Sequence, residues 1–199
     1  VKALRSQPAL ERLTLLNRRA LPDAGRNIEQ HVVDVQDPNS YRQHLADHQA
    51  AVCTLGVGEP SKIGRQEFVR IDKDAVFSFA AACKSAGIVH FELLSSVGAD
   101  AKSRSFYLRT KGELCEALVA LGFERLSLFQ PSMILTPTNR YGVMQGLTLA
   151  VWPKLEPLLG GAWRQYRGIR VERLGAAIAN NLFTAGRGVE RLQWEEFAA

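Results

Sequence analysis

The sequence contains few cysteines, and nothing in their spacing suggests a metal site or a disulfide framework. The three cysteines are an odd number without a C-x-x-C pair, and each lies in an apolar or helical stretch. We therefore expect reduced core residues and a cytoplasmic protein. No common ligand spacing relates the four histidines, and His44 and His48, four apart, fit a solvated helix face. No metal site is predicted.

Long apolar runs and basic runs are also missing. No stretch approaches the about 20 apolar residues of a membrane span, and no signal peptide opens the chain. The net charge of +5 comes from scattered lysines and arginines, so neither a membrane nor a nucleic acid is an expected partner. The 199 residues suit one domain. We assign 1–199 to a single nucleotide-binding domain, in which 136–199 forms a small substrate-side region.

Short apolar runs alternate with helical patterns along most of the chain. Gly87 and Gly122 follow two of the helical patterns as stop signals. Alternation of this kind predicts an α/β fold, a doubly wound, mostly parallel Rossmann-like sheet with helices on both faces. The predicted strands are 13–16, 31–35, 50–56, 88–96, 125–130 and 169–171, and the predicted helices are 72–86, 105–121 and 172–185, with a helix-rich insertion at 141–160.

A glycine-rich phosphate loop is absent. Residues 1–7 have the pattern of a helix end that packs on the strand at 13–16, and no strand with G-x-G-x-x-G or G-x-x-G-x-x-G precedes them. Either about twenty residues precede Val1, which we expect, or the protein has no such loop. The absent strand would lie at the centre of the sheet, and its loss would leave two neighbouring strands without a ladder partner.

The candidate reaction centre is the pair Tyr107 and Lys111. Four residues apart on a helix, their side chains share one face. An ammonium group beside a phenol favours the phenolate, and such a phenol can transfer a proton when a carbonyl and an alcohol interconvert. Lys111 could also donate to the ribose hydroxyls of a cofactor. Ser95 and Ser96 end a strong predicted strand just upstream, where a serine can orient the same substrate oxygen.

Arg18 and Arg19 directly follow the predicted strand at 13–16. In a dinucleotide-binding fold an acidic residue at this turn binds the ribose 2′-hydroxyl, whereas arginine accommodates a 2′-phosphate. With two arginines and no acidic residue, the turn favours NADP(H) over NAD.

Other strand ends contribute weaker candidates for cofactor contact, each from position alone. Asp34 lies near the end of the next strand and could meet the adenine. At Leu55 and Gly56 a small residue lets the backbone approach the cofactor. Pro131 and Ser132 end the fifth strand and could flank the nicotinamide.

Several motifs in one order resemble a known family. They are Leu-Leu-Asn-Arg-Arg at 15–19, Val-Val-Asp at 32–34, Cys-Thr-Leu-Gly at 53–56, Phe-Val-Arg-Ile-Asp at 68–72, Leu-Leu-Ser-Ser-Val-Gly-Ala-Asp at 93–100, Tyr-Leu-Arg-Thr-Lys-Gly-Glu at 107–113 and Phe-Gln-Pro-Ser at 129–132. Together they are similar to the Tat-interacting protein (oxidoreductase CC-three) group of atypical short-chain dehydrogenases. The resemblance implies an NADP-binding Rossmann fold and a Ser/Tyr/Lys site at Ser95 or Ser96, Tyr107 and Lys111.

Two functions remain open at this stage. The first is an NADPH-dependent reductase of a small carbonyl compound, with the aromatic residues of 141–166 around the substrate. The second is a protein that binds NADPH without catalysis and regulates a protein partner. A nucleic-acid binder ranks last, because basic and aromatic residues do not interleave. An oligomer is possible, but no interface is predicted.

Overall fold

The computed structural model describes residues 1–22, 28–58, 60–136 and 159–198. The strands are β1 (Leu13–Asn17), β2 (Ile28–Val32), β3 (Ala50–Cys53), β4 (His90–Leu94), β5 (Arg125–Phe129), β6 (Met133–Leu135), β7 (Gly168–Arg170) and β8 (Gly188–Leu192). The α-helices are α1 (Lys2–Arg5), α2 (Arg65–Val69), α3 (Val76–Ser85), α4 (Phe106–Ala120), α5 (Val171–Asn181) and α6 (Trp194–Ala198), and a π-helical segment, Arg70–Ala75, joins α2 to α3.

Every ladder among the described strands is parallel, as predicted. The main sheet has the order β3-β4-β5-β8, and β1-β2 and β6-β7 form two further sheets. Among the described strands, the division between these sheets falls between β1 and β3.

Helices cover both faces of the main sheet, in agreement with the predicted fold class. On one face, α3 and α4 bury Val76, Ala80, Leu114 and Leu118 against Phe91 and the rest of a large apolar core. On the other face, α5 and α6 bury a smaller core. Its members are Phe129, Ile169, Leu174, Ile178 and Phe197. The helix α1 contacts α5, and Gln7 Nε2 donates to Asn180 Oδ1 over 2.6 Å.

The boundaries of several elements differ from the predictions. The strand predicted at 31–35 is β2, which begins and ends about three residues earlier; the chain turns at Asp34, whose Oδ1 accepts from Gln36 N at 2.9 Å. The helix predicted at 72–86 begins at Arg65, because the π-helical segment adds a residue per turn and breaks the 3.6-residue period. Strands β6 and β8 were missed.

The helix α4 carries the candidate reaction centre and matches its predicted range closely. Ser105 caps it, with Oγ accepting from Leu108 N at 3.5 Å, and Gly122 follows its end at a φ of +66°. In the middle of α4, Gly112 lies against the backbone of Asp100 and Ala101 so closely that a β-carbon there would clash. That approach fixes α4 against the loop that follows β4.

The insertion predicted at 141–160 lies outside the described residues, apart from its last two positions. The described part of the aromatic segment is a short 3-10 helix, Gly161–Tyr166, on which Trp163 is 63% exposed. Trp163 therefore does not help to enclose a pocket. Within the described part of the chain, no helix combines the length and the apolar character that a membrane span requires.

Candidate functional site

The carboxyl ends of β3, β4 and β5 bring three of the predicted strand-end positions to one edge of the main sheet. Cys53 pairs with Leu93, and Leu94 pairs with Phe129. Beyond the ladder, Ser95 N donates to Phe129 O at 2.7 Å and Val97 N donates to Pro131 O at 3.0 Å. The segments that begin at Leu55, Ser95 and Pro131 therefore lie side by side. This edge is where ligands bind in open parallel sheets.

At this edge Lys111 is buried and ion-paired. Its Nζ lies 2.7 Å from Asp72 Oδ1, and the two side chains are 5% and 2% exposed. The second carboxylate oxygen, Asp72 Oδ2, accepts from Val57 N at 2.8 Å. A β-carbon on Gly56 would lie 3.2 Å from Asp72 Oδ1 and 3.8 Å from Lys111 Nζ. A side chain at position 56 would therefore crowd the ion pair, and glycine lets the backbone lie close to it.

Asp72 is a candidate site residue that the sequence analysis did not single out. It lies on the π-helical segment, and π-turns are frequent at functional sites. The sequence around it, Arg-Ile-Asp-Lys-Asp at 70–74, is charged and gives no signal that Asp72 is buried. A second pair links the same two elements: Lys73 Nζ lies 2.6 Å from Glu113 Oε2. Together the two pairs fix α4 against the π-helical segment.

Tyr107 lies one turn before Lys111 on α4 and faces a cavity of about 400 Å³. Phe68, Phe106 and Arg65 also line this cavity. The ring of Tyr107 packs against Phe68 with centroids 5.7 Å apart. Across the described residues, no hydrogen bond to its hydroxyl is found, so the phenol is free to meet a ligand.

The two candidate serines point in different directions. Ser95 is 8% exposed, and its Oγ lies 3.4 Å from Cys115 Sγ, one turn beyond Lys111 on α4. Ser96 Oγ donates to Val97 O over 3.3 Å. Ser95 therefore lies on the same side of the sheet as α4. Neither serine has a recorded contact with Tyr107.

The other predicted cofactor contacts lie at the ends of β1, β2 and β5. Arg18 and Arg19 follow β1 with exposed side chains, and within the described ranges neither makes a hydrogen bond or an ion pair. Asp34 is exposed as well, but its carboxylate already stabilises the turn after β2. Pro131 is buried and Ser132 partly buried beyond β5.

All three cysteines are free and buried, as predicted. Burial raises the pKa of the Cys53 thiol to about 11 and also raises the pKa values of Cys83 and Cys115. These thiols are therefore protonated core residues near neutral pH, and none is a candidate nucleophile.

Known proteins are similar to this chain in sequence and in fold. No protein-family model matches the chain. Protein HTATIP2 of Rattus norvegicus is 35% identical over 191 residues, which cover 94% of this chain and 77% of that protein. Protein FMP52, mitochondrial, of Candida albicans is 26% identical over 172 residues and is covered to 72%.

Two solved structures share the fold at low sequence identity. MoeE5 in complex with UDP-glucuronic acid and NAD has a TM-score of 0.68 at 19% identity, with 91% of this chain and 67% of that chain covered. DesIV, a dTDP-glucose 4,6-dehydratase of Streptomyces venezuelae with NAD and TYD bound, has a TM-score of 0.66 at 14% identity, with 92% and 66% covered.

Fold and relatives together define the class: this is an atypical short-chain dehydrogenase/reductase of the NAD(P)-binding Rossmann superfamily. Within that class, the chain belongs to the family of Protein HTATIP2.

The prediction of a cytoplasmic location is wrong as it stood. The FMP52 relatives from Candida albicans, Debaryomyces hansenii and Emericella nidulans are named mitochondrial proteins. Reduced cysteines distinguish a reducing compartment from an oxidising one, and they do not separate one reducing compartment from another.

Proposed function

We propose that the protein binds NADP(H) along the carboxyl edge of the sheet and reduces a small carbonyl compound with Tyr107 as the proton donor. The observation that carries this proposal is the buried Lys111–Asp72 pair beside Gly56, one helical turn from a tyrosine that lines a cavity. MoeE5 and DesIV, which share the fold, are solved with NAD bound. That agreement supports a nicotinamide dinucleotide at the corresponding edge here.

The residues at this edge fit such a cofactor. Gly56 leaves the space that a β-carbon would fill beside Asp72 and Lys111. An ammonium group has three donors, and Asp72 occupies one of them, so Lys111 keeps two for ribose hydroxyls. Asp72 holds the ammonium group in place and acts as a positioning residue.

At the other end of the cofactor, the two arginines after β1 supply the selectivity. Arg18 and Arg19 are exposed. A guanidinium group presents a planar fork of donors that matches a phosphate, so these side chains favour a ribose that carries a 2′-phosphate. This is the physical basis for preferring NADP(H) over NAD.

The chemistry divides between the cofactor and the chain. When bound, the dinucleotide supplies or accepts the hydride. Tyr107 Oη gives its proton to the carbonyl oxygen as the alcohol forms, and Lys111 supports the phenolate that remains. The cavity beside Tyr107, lined by Phe68, Phe106 and Arg65, excludes water from an apolar substrate.

One observation favours a second function, the binding of NADPH without catalysis. The Ser95 hydroxyl contacts Cys115 and is 8% exposed, so the third group of a Ser/Tyr/Lys site is not presented to the cavity. In this alternative, Lys111 holds the ribose and the protein acts on a protein partner.

Replacing Tyr107 by Phe separates the two functions. For a reductase, Tyr107→Phe lowers kcat on an aldehyde and ketone panel by about 10²–10⁴, the usual contribution of a positioned acid, and leaves the Kd for NADPH within about threefold. Val119→Ala, on the exposed face of α4, is the control and keeps full turnover. Turnover retained in Tyr107→Phe would place the acid elsewhere. No turnover in the wild-type protein, with NADPH still bound, would favour the regulatory alternative.

A further inference from the structure

Two histidines and a glutamate meet on the β1-β2 side of the molecule, away from the candidate active site. Glu29 and His31 lie on β2, and His44 ends the short 3-10 helix Arg42–His44. One potential ligand atom from each lies within 4.8 Å of the other two, and this is the only such cluster in the described ranges. The expectation that no histidines converge is therefore wrong for His31 and His44. The two histidines lie on different elements, so their contact could not be predicted from their spacing in the sequence.

The fold brings these side chains together without a metal. Glu29 and His31 are two apart on a strand and share one face, and His31 Nε2 lies 2.6 Å from Glu29 Oε1. The rings of His31 and His44 stack with centroids 3.5 Å apart and an angle of 17° between their planes. On either side of the 3-10 helix, Tyr41 and Leu45 are 2% and 4% exposed and anchor it in the core.

Two imidazoles and one carboxylate form a recognised ligand set for Zn²⁺, with water in the fourth position. Bonds of about 2.1 Å to a tetrahedral ion place the ligand atoms about 3.4 Å apart. One of the present separations is 2.6 Å, and all lie within 4.8 Å. Because an imidazole binds Zn²⁺ in the plane of its ring, the two stacked rings must turn apart for both to bind one ion. Glu29 is exposed and both histidines are only partly buried, so these side chains have room to turn.

A simple ion pair between Glu29 and His31 would not explain the position of His44. It accounts for the 2.6 Å contact but not for the ring of His44 stacked on the same imidazole. Among the described residues, Arg12 is a cation near Glu29, and its guanidinium group is already hydrogen-bonded to Ala46 O and His48 Nδ1. His48 Nε2 lies 2.9 Å from Thr14 Oγ1, outside the cluster.

We propose that Glu29, His31 and His44 bind one Zn²⁺ ion with an open coordination position, independently of the dinucleotide. Such an ion would tie the 3-10 helix to β2. Because it binds the folded chain, Zn²⁺ would also raise the melting temperature with concentration.

The test uses Zn²⁺ itself, titrated at pH 7.5 into chelator-treated protein by calorimetry, with thermal unfolding in parallel. We expect one ion per chain, a melting temperature that rises with Zn²⁺, and a Kd weakened by more than about 100-fold in His44→Gln and in His31→Gln, since direct ligands contribute at least as much as outer-shell partners. The matched control His48→Gln keeps the wild-type Kd within about threefold. Unchanged unfolding of each variant without Zn²⁺ shows that the fold is intact.

Substitution of Co²⁺ for Zn²⁺ identifies the ligands by absorption. Nitrogen and oxygen ligation gives weak visible bands and no thiolate charge-transfer band near the ultraviolet. Wild-type protein that takes up no Zn²⁺ at micromolar concentrations, binding unaffected by His44→Gln, or a thiolate band from any of the buried cysteines would each overturn the proposal.

Discussion

The main sheet buries charge in two places, and the two differ in how completely the protein satisfies it. At the carboxyl edge, on the α4 face, Asp72 is the partner of Lys111 within the described part of the chain, which leaves two ammonium donors unused there, and the pair lies close to the backbone at Gly56. On the opposite face, charged and polar residues of β4, β5 and β8 meet the end of α5. They are His90, Glu92, Arg125, Ser127, Asn181, Thr184 and Glu190, and we call them the Arg125 network.

Most groups of the Arg125 network bind one another, and within it, among the described residues, Glu92 Oε2 alone is buried without a hydrogen-bond partner. Arg125 Nε lies 3.0 Å from Glu190 Oε2, Nη1 donates to Asn181 O and Thr184 O, and Nη2 donates to Asn181 Oδ1. Ser127 Oγ donates to Glu190 Oε2 at 2.7 Å. Buried charges of this kind specify how strands and helix assemble. The Lys111–Asp72 pair, in contrast, keeps donors for a ligand, and this difference separates the structural site from the candidate functional one.

The largest effect expected from this comparison follows from removing Arg125. In Arg125→Met, Glu190 loses its counter-ion and several buried acceptors lose their donor, so we expect unfolding free energy to fall by about 3–5 kcal/mol. Urea unfolding measures the change. Arg187→Met, on an exposed arginine just before β8, is the control and changes stability by less than about 0.5 kcal/mol. A cost below about 1 kcal/mol would mean that the network does not hold the sheet together.

A smaller effect is expected at the carboxyl edge. Lys111→Met leaves the buried Asp72 carboxylate without its counter-ion but with its hydrogen bond from Val57 N, so we expect a loss of about 3 kcal/mol in unfolding free energy, the lower end of the range for a broken buried pair. Adding Asp72→Asn removes the unpaired charge, and the double variant is expected to be no less stable than Lys111→Met alone. Lys73→Met, which breaks the partly exposed pair with Glu113, is the control at less than about 1 kcal/mol.

The same variants also test the binding of the cofactor. Both Lys111 variants should bind NADPH at least tenfold more weakly, whereas Lys73→Met should bind it normally. A larger stability loss from Lys111→Met than from Arg125→Met would reverse the assignment of structural and functional sites.

The smallest effect concerns the pH dependence of the Arg125 network. Burial raises the pKa of the Glu92 carboxyl to about 8, and Glu92 Oε2 is buried without a hydrogen-bond partner. Burial, with Arg125 nearby, lowers the pKa of His90 to about 4. Between pH 6.5 and 8 the folded protein therefore keeps a proton on Glu92 that the unfolded chain has released, and stability falls as pH rises.

Below pH 6.5 the two groups oppose each other, since the unfolded chain takes up a proton on His90 that the folded protein excludes. The effect of Glu92 is therefore measured between pH 6.5 and 8, outside the range in which His90 opposes it. There the unfolding free energy falls by at most about 1.4 kcal/mol per pH unit. Urea unfolding across this range should show the slope in wild-type protein and in Glu116→Gln, a control on an exposed acid. In Glu92→Gln the slope should vanish. A slope unchanged in Glu92→Gln would contradict a neutral, buried Glu92.

The helices and strands that were predicted correctly are those whose apolar pattern and end signals in the sequence match their burial in the fold. The helix α4 has a serine cap and a glycine stop, and β4 and β5 alternate apolar residues that face the large core with polar ones, so their sequence patterns located all three. The strand β8 was missed because its sequence, Gly-Val-Glu-Arg-Leu, begins with glycine and carries two charges, of which Glu190 is paired with Arg125 and Ser127 in the fold and Arg191 is exposed. Local propensity does not detect a strand of that kind.

Only the part of the candidate site that lies on a single helix was predicted from the sequence. Tyr107 and Lys111 are four apart on one helix, so their shared face follows from helix geometry. Asp72 reaches Lys111 from a π-helical segment 39 positions earlier, and no periodicity in the sequence encodes that contact. His31 and His44 converge from a strand and a 3-10 helix, which spacing rules for a single element cannot anticipate.

The most direct test of the central claim is a calorimetric titration of NADPH and NADH into the wild-type protein, Arg18→Glu and the control Arg187→Glu. We expect wild-type protein to bind NADPH more tightly than NADH, Arg18→Glu to lose most of that preference through weaker NADPH binding, and Arg187→Glu, before β8 at the opposite edge, to match the wild type. Equal losses for both nucleotides in Arg18→Glu would contradict the 2′-phosphate role. Binding of neither nucleotide to the wild-type protein would contradict the proposed function as a whole.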